Sequence, residues 1–416
     1  MPYGYKNLFN TEQQSHLFGI YIRLEREKQS ISITKLANIV GIASSYLSEI
    51  EKGKKTPTDI TFISLCDALN INFDYKYYDP DIEKKLKDLY HYCLFDQNIQ
   101  EVEKCFSQLN TEKNRSSFLY PYVILGEKIK DFYIFHNGVN GAELELLNEL
   151  AELTGNSSFK VAVLDLEVCF KRIKLTNSLI DDFYRSNGKF FATNLTNYDS
   201  IRSYFSGIYA LHASEFYNSE KNIIKASEYC KIAEKILEIS ISLTELLKVK
   251  ELSIKIEIAS GNYKYALQQL FSLMQVVNET NIKSRYLELI GTIYFFIHNY
   301  KAAADAFHEA LQMNPNNILS VYYLLILSIS YLSKDNIENY LTDIQQNLQL
   351  YSVFKAVQED VDVCNTFDNF IENIEDQNIK KLFYEWIFQY ACDKEDFQKA
   401  TYYAKKIILI SKSAYQ

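Results

Sequence analysis

The sequence predicts an all-α protein with two parts, a small helical domain at the N-terminus and a long array of helix pairs behind it. Three observations predict this fold. The 416 residues include only 12 Gly and 5 Pro, a scarcity that favours long helices joined by short loops. Two short amphipathic patterns flank a glycine between residues 31 and 57. From residue 80 onward, small and aromatic residues recur at helical spacing.

The N-terminal signal is the segment ISITKLANIVGIASSYLSEIEKGKKTP. Leu36 and Ala37 predict a short helix that Gly41 ends, because glycine adopts backbone angles that other residues avoid. A second short helix then buries Leu47 and Ile50, three residues apart. Two short helices crossing at a tight glycine turn are what a helix-turn-helix needs to lay its second helix in the major groove of DNA.

The flanking segments complete a small domain. Residues 16–28 predict a first helix with Phe18 and Ile22 facing inward. After Pro57 a further helix is expected to close the core with Ile60, Ile63, Leu65, Ala68 and Leu69. By sequence, residues 1–75 carry equal numbers of acidic and basic side chains, so the net charge of −9 belongs to the rest of the chain. Because this N-terminal domain is neutral, we expect weak non-specific affinity for DNA, and tight binding should require a dimer.

These elements resemble the Cro/C1 (phage-repressor, XRE) family of helix-turn-helix domains over about residues 15–75, with the Leu-Ala, Gly, Leu-Ser, Glu-x-Gly and Pro elements in register. The resemblance implies a DNA-facing set: Ser44, Ser45 and Glu49 at base edges, Tyr46 and Ser48 near phosphates, and Lys52, Lys54 and Lys55 along the backbone. Taken alone, the three lysines would more simply be a solvated turn. Their place directly after a recognition helix favours DNA contact.

The resemblance also implies an ion pair between Arg26 of the first helix and Glu51. Two positions depart from the family. Ile33 stands where the family has a glutamine that caps the second helix against a phosphate, and Ala43 stands where it has a Ser or Thr cap. Both departures concern the strength of DNA contact and leave the fold unchanged.

The clearest helix pair lies in residues 284–317. Its spacing of Leu287, Ile290, Gly291, Tyr294, Tyr300, Ala303, Phe307, Ala310, Leu311 and Pro315 resembles the tetratricopeptide repeat almost in full. Weaker copies of this spacing occupy 82–114, 207–240, 247–280 and 381–414, with degenerate pairs at 318–350 and 353–376 and two or three more in 115–206. Stacked pairs of this kind predict a right-handed tetratricopeptide-like α-solenoid over residues 80–416, with a concave inner wall.

Most of the 33 Tyr and 26 Phe are expected to pack between helices. First-helix positions between the packing residues should face the inner wall and bind an extended peptide: Lys248, Glu251, Lys255, Arg285, Glu288, Thr292, Phe295, Leu319, Tyr322 and Ile326. Phe383, Trp386 and Phe388 in the last helices are expected dimer contacts.

No catalytic or metal-binding spacing appears in the sequence. The six His and seven Cys form no HExxH, CxxC or His-x-His, and GxSxG, GxGxxG and the P-loop pattern are absent. We therefore expect no enzyme, no metal site and no cofactor. The odd number of cysteines predicts reduced thiols, and together with an N-terminus without a signal-peptide stretch it predicts a cytoplasmic protein that does not enter a membrane.

A Cro/C1-like head followed by a tetratricopeptide solenoid resembles the RRNPP family of quorum-sensing regulators. This resemblance implies a cytoplasmic, homodimeric transcription factor whose solenoid binds a short signalling peptide and so switches operator binding. Two alternatives remain open. The repeats could be an adaptor that docks a protein partner, or the chain could be a phage-type repressor in which the repeats are only a dimerisation scaffold without a ligand.

Overall fold

The computed structural model describes residue 9 and residues 11–174, 177–194, 200–238, 243–331 and 340–413. Within these ranges the secondary structure is helical, and no strand occurs in them. The helices are α1 (Glu12–Lys28), α2 (Ile33–Val40), α3 (Ser44–Glu51), α4 (Asp59–Leu69), α5 (Ile82–His91), α6 (Ile99–Leu109), α7 (Glu112–Arg115), α8 (Tyr120–Tyr133), α9 (Gly141–Thr154), α10 (Ser157–Lys174), α11 (Asn177–Asn194), α12 (Ser200–Ser219), α13 (Ile223–Leu237), α14 (Leu243–Ala259), α15 (Tyr263–Val276), α16 (Thr280–Phe296), α17 (Tyr300–Met313), α18 (Ile318–Ser330), α19 (Leu341–Gln345), α20 (Leu348–Glu359), α21 (Val363–Ile371), α22 (Gln377–Asp393) and α23 (Phe397–Ser413). A π-helical turn, Tyr92–Asp96, follows α5.

The chain forms two compact units. Unit 1 comprises residues 1–219 and 224–250, and unit 2 comprises residues 220–223 and 251–416. Helices α1 to α4 therefore share a unit with the helix pairs that follow them in sequence, and unit 2 contains the repeat with the clearest spacing.

The helix-turn-helix is built as its spacing predicts. Gly41 ends α2 with φ of 75°, a left-handed conformation that glycine adopts without a steric penalty. Leu36, Leu47 and Ile50 are completely buried. Close contact between α1 and α3 depends on Gly19, because a Cβ at that position would lie 2.0 Å from the carbonyl oxygen of Ile50.

Helix α4 turns a different face inward from the one expected. Ile60 and Ile63 are 78% and 57% exposed, so the prediction that they close the core is wrong. Leu65 and Leu69 are buried as predicted, and Phe62 is buried in place of the two isoleucines. These three positions fall on one helical stripe at the i, i+3 and i+7 spacing, and the aromatic ring of Phe62 fills the site that the isoleucines were expected to fill.

Within unit 1 the helix-turn-helix and the following helices share one core. The ring of Phe73 packs against Phe18 and Phe118, with centroids 5.2 and 5.1 Å away. The hydroxyl of Tyr120, at the start of α8, donates to the carbonyl oxygen of Leu17 at 3.0 Å. Helix α1 therefore packs against the helices that follow the helix-turn-helix through aromatic contacts and a buried hydrogen bond.

The helix pair α16–α17 confirms the predicted repeat. A Cβ on Gly291 would lie 2.7 Å from the ring of Phe307, so the small residue makes room for an aromatic ring on the partner helix. Ala303 is completely buried in the same contact region. The buried hydroxyl of Ser284 donates to the carbonyl oxygen of Ala310 at 2.8 Å and ties the open end of the pair.

The last helices of unit 2 place their aromatic residues differently from the expected dimer surface. Phe383 is completely buried, so it is not available to a second chain. Trp386 stacks on Phe367 with ring centroids 4.7 Å apart and on Tyr390 at 5.6 Å. Trp386 and Phe388 are only partly buried, so their role as dimer contacts remains a prediction.

Candidate functional site

The recognition helix α3 begins and ends by different means. Ala43 precedes it in an extended conformation, φ −68° and ψ 138°, and supplies no side-chain hydrogen bond to the helix. At the other end Gly53 adopts φ of 66°, and the backbone N–H groups of Lys54 and Lys55 donate to the carbonyl oxygen of Glu49 at 2.8 and 3.3 Å. The turn that carries the lysines is therefore anchored to the recognition helix itself.

The structure leaves all eight expected DNA-contacting side chains accessible. Ser45, Lys52, Lys54 and Lys55 are exposed, whereas Ser44, Tyr46, Ser48 and Glu49 are partly exposed. Their accessibility is a necessary condition for reading DNA, and the role of each remains a prediction.

Three of these side chains also contact one another, which the sequence did not indicate. The ammonium group of Lys55 lies 3.1 Å from a carboxylate oxygen of Glu49 and 6.0 Å from the ring centroid of Tyr46. Lys55 thereby neutralises the one acidic group on the surface of α3 that would otherwise repel phosphates. An exposed pair of this kind is weak, so Glu49 can exchange it for a base edge.

The implied pair between Arg26 and Glu51 is confirmed. The guanidinium donates two hydrogen bonds to the carboxylate, at 2.7 and 2.9 Å, and a third to the carbonyl oxygen of Ile31 at 2.9 Å. Hydrogen bonding to Glu51 raises the pKa of Arg26, and it outweighs burial, which lowers it. Both side chains are buried, so the pair fixes α1 against the C-terminal end of the recognition helix.

In unit 2 the structure brings three of the expected peptide-binding residues into one charged cluster. One carboxylate oxygen of Glu251 lies 2.8 Å from the ammonium group of Lys255, and the other lies 3.6 Å from the guanidinium of Arg285. The pKa of the nearby Glu288 is raised, because the effect of burial is larger than the opposite effect of a hydrogen bond from Asn317. Lys248 belongs to unit 1, where its ammonium group lies 5.2 Å from the ring centroid of Phe95.

Other expected residues serve mainly as packing. Tyr322 contacts Phe370 and Phe383 edge-on, with centroids 5.9 and 6.1 Å apart. The hydroxyl of Thr292 donates to the carbonyl oxygen of Glu288 in its own helix at 2.9 Å. Ile326 is only 4% exposed. Neighbouring side chains cover much of the surface at these positions, and their part in peptide binding remains a prediction.

A cavity of about 460 Å³ lies in unit 2 between α16, α18 and α22. Its lining includes the expected residues Phe295 and Ile326 and nine others: Ile329, Ser330, Tyr331, Leu382, Glu385, Trp386, Gln389, Tyr390 and Asp393. The walls combine aromatic and aliphatic side chains with Ser330, Gln389 and the acidic residues Glu385 and Asp393. The α22 residues were not predicted as site residues, since their part in the cavity depends on which helix packs opposite α18.

Among the described residues no helix is both long enough and apolar enough to cross a membrane.

Comparison with known proteins bears on both parts of the chain. A helix-turn-helix family model (HTH_3) matches residues 22–76. A TPR repeat-containing protein of Borreliella burgdorferi is 32% identical over 74 residues, which is 17% of this chain and 32% of that protein. The chain thus aligns with about a third of that relative's length.

Two solved structures share the fold at low identity. A Rap protein complexed with competence and sporulation factor matches 81% of this chain and 99% of its own, with 14% identity and a TM-score of 0.54. The apo form of RapI matches 80% of this chain and 97% of its own, with 14% identity and a TM-score of 0.60. At this identity the likeness concerns the fold.

The predicted fold class is confirmed: a helix-turn-helix domain is followed by helical repeats of the type found in Rap proteins. The family model covers residues 22–76, and the likeness of the helices behind them is one of fold.

Proposed function

We propose that this protein is a transcriptional regulator of the quorum-sensing type, in which a short signalling peptide bound by the repeats switches operator binding. Residues 1–75 would bind double-stranded DNA, and residues 80–416 would bind the peptide and hold a cytoplasmic homodimer together. The observation that carries the proposal is the presence, in one chain, of an accessible recognition helix and a cavity in the repeat region lined by aromatic and acidic side chains.

The DNA-binding part rests on the surface of α3 and the turn behind it. Hydroxyl groups of Ser44 and Ser45 can pair with several bases, whereas the three lysines of the turn are placed to contact phosphates. The buried Arg26–Glu51 pair holds α3 in position from behind. Preorganisation of this kind lowers the entropy lost on binding.

The peptide-binding part rests on the cavity of unit 2. A volume of about 460 Å³ holds one or two large side chains, and its walls include Phe295, Tyr331 and Trp386. Glu385 and Asp393 supply negative charge beside these rings. The cavity therefore suits a peptide that presents an apolar or aromatic side chain next to a basic or amino-terminal group. Support also comes from the Rap structure, which holds competence and sporulation factor.

Coupling between repeats and DNA is favoured by the way α1 is packed. In unit 1 the side chains of His16 and Arg23 lie 3.1 and 3.5 Å from the carboxylate of Glu149 on α9, and Tyr120 bonds to the backbone of α1. These contacts fix the orientation of the helix-turn-helix relative to the helices that follow it in unit 1. A dimer must place two recognition helices about 34 Å apart, so a small shift of the repeats can change operator affinity.

The first experiment measures fluorescence anisotropy of the full-length protein on DNA flanking its own gene, at fixed salt, with and without short peptides encoded beside it. Lys54→Ala should weaken binding and reduce the slope of log K against log salt by about 1. Lys104→Ala, an exposed lysine on α6, is the matched control and should bind as the wild type does. Equal loss in both variants would contradict the proposed DNA surface.

The peptide site is tested by filling the cavity. Ser330→Trp places an indole in the cavity and should abolish the peptide response while leaving DNA binding without peptide intact. Ser352→Trp, at an exposed serine of α20, should keep the response. Tight DNA binding indifferent to every peptide would favour a repressor with scaffolding repeats. The absence of specific DNA binding would favour an adaptor that docks a protein partner.

A further inference from the structure

Three side chains able to ligate a metal meet inside unit 1. Asp165 and Cys169 lie one helical turn apart on α10, and His212 faces them from α12. The Nδ1 atom of His212 lies 2.9 and 3.0 Å from the carboxylate oxygens of Asp165 and 3.5 Å from the sulfur of Cys169. One ligand atom from each residue lies within 4.8 Å of the other two. The three groups converge on one point.

The distances between these atoms approach those of a tetrahedral zinc site. With usual zinc bond lengths, nitrogen and sulfur ligands are about 3.6 Å apart and nitrogen and oxygen ligands about 3.4 Å apart. The observed sulfur–nitrogen distance of 3.5 Å matches. The oxygen–nitrogen distance is shorter by about 0.4 Å, which a small rotation of the carboxylate makes up.

Hydroxyl groups around the cluster orient its members. Tyr90 donates a hydrogen bond to the carboxylate of Asp165, and the hydroxyl of Tyr133 lies 3.5 Å from the sulfur of Cys169. The guanidinium of Arg172 donates to the backbone carbonyl of His212 at 3.5 Å. Outer hydrogen bonds of this kind hold metal ligands in position and are a regular part of metal sites.

Charge and access also suit a metal. Metal ligands must be deprotonated, and a carboxylate, a thiolate and an imidazole bound to a metal would together carry a charge of −2, which one divalent cation cancels in a buried place. Oxygen, nitrogen and sulfur ligands in one set are suited to zinc and its neighbours, whereas magnesium and calcium take oxygen ligands. Asp165 and His212 are buried, but Cys169 is partly exposed and leaves a path from solvent.

We propose that Asp165, Cys169 and His212 form a site for zinc or a similar divalent transition metal, which ties α10 to α12. The sequence predicted no metal site because it contains no ligand motif of short spacing. Such motifs do not include this cluster, because His212 is 43 residues from Cys169 and 47 from Asp165. The inference is independent of the proposed peptide response. The competing state is a metal-free set of hydrogen bonds among the same three side chains.

The test uses the full-length chain, stripped with a chelator, reloaded with zinc, dialysed and assayed for metal by elemental analysis. Cobalt loading provides a second readout, since a thiolate ligand gives a charge-transfer band. The wild type should retain one metal per chain and show the band. Cys169→Ser and His212→Gln should bind about tenfold more weakly or worse, and Cys169→Ser should lose the band. Cys105→Ser, a buried cysteine of α6 in the same unit, should behave as the wild type.

A milder variant guards against misfolding. Tyr90→Phe keeps all three ligands, removes the hydrogen bond to Asp165 and should weaken zinc binding by about tenfold, with circular dichroism unchanged. Retention of the cobalt band in folded Cys169→Ser would place the metal elsewhere. A folded wild type that holds no metal after dialysis would show that the three groups only hydrogen-bond to one another.

Discussion

The helix-turn-helix and the helix pairs behind it are stabilised in different ways. In the helix-turn-helix, one buried charged pair, Arg26 and Glu51, joins segments 25 residues apart. In the helix pair α16–α17, shape decides the contact, since Gly291 leaves room for the ring of Phe307. A charged contact leaves an unpaired buried charge when one partner is removed, whereas a shape contact leaves a clash or a void. The two regions should therefore respond differently to single substitutions.

The largest effect is expected when the charged pair of the helix-turn-helix is broken. Arg26→Met should destabilise unit 1 by about 3–5 kcal/mol, because Glu51 is left buried without a partner. Urea unfolding followed by circular dichroism measures the change. The double variant Arg26→Met, Glu51→Leu should recover much of the loss. A single variant within about 1 kcal/mol of the wild type would show that the pair contributes little beyond an exposed one.

A smaller effect is expected when the shape contact of a helix pair is crowded. Gly291→Ala should destabilise unit 2 by about 1–3 kcal/mol, because the new methyl group meets the ring of Phe307. The only tryptophan of the chain, Trp386, lies in unit 2 and reports its unfolding by fluorescence. Ser352→Ala, at an exposed serine of α20 in the same unit, is the control and should leave the midpoint nearly unchanged. An unchanged midpoint for Gly291→Ala would mean that the ring moves aside freely.

Two substitutions at helix caps of the helix-turn-helix should each change the free energy of unfolding by about 1 kcal/mol, one lowering it and the other raising it. The hydroxyl of Ser32 accepts a hydrogen bond from the backbone N–H of Lys35 at 3.2 Å, so Ser32→Ala should destabilise. Ala43→Ser should stabilise by a similar amount, because the extended backbone before α3 already suits a capping serine. Thermal unfolding measures both. A loss of stability in Ala43→Ser would indicate that the start of α3 is constrained by its neighbours.

The smallest effect is expected from pH at a half-buried pair of unit 1. The ring Nδ1 of His91 lies 2.5 Å from the buried carboxylate of Glu245, and hydrogen bonding to Glu245 raises the pKa of His91 more than burial lowers it. The pair's contribution should be complete below the unfolded pKa of about 6.5 and should fade as pH rises through the higher folded pKa.

Melting temperatures of the wild type and His91→Gln, measured from below about pH 6.5 to above the folded pKa of His91, test this prediction. The difference in melting temperature should shrink as pH increases. His136→Asn, at an exposed histidine with positive φ, is the control and should melt close to the wild type. A difference that grows with pH would assign the opposite sign to the His91 interaction.

The sequence by itself determined the features that depend on contacts within a turn or a hairpin. The glycine turn and the α16–α17 repeat follow from residue types at fixed short spacing, and the structure has both. Short spacing is sufficient there because a helix or a tight helix pair brings such residues together whatever surrounds them. The Arg26–Glu51 pair joins residues 25 apart, and it was implied by the resemblance to the Cro/C1 family.

Only the tertiary structure decided which faces meet across longer distances. Ile60 and Ile63 have the apolar character of core residues, yet Phe62 and its stripe occupy the core. The meeting of Asp165, Cys169 and His212 and the contribution of α22 to the cavity likewise depend on how separate helices pack. Helical periodicity gives the direction of a side chain around its own axis, but the partner it meets is set by the packing of the other helices.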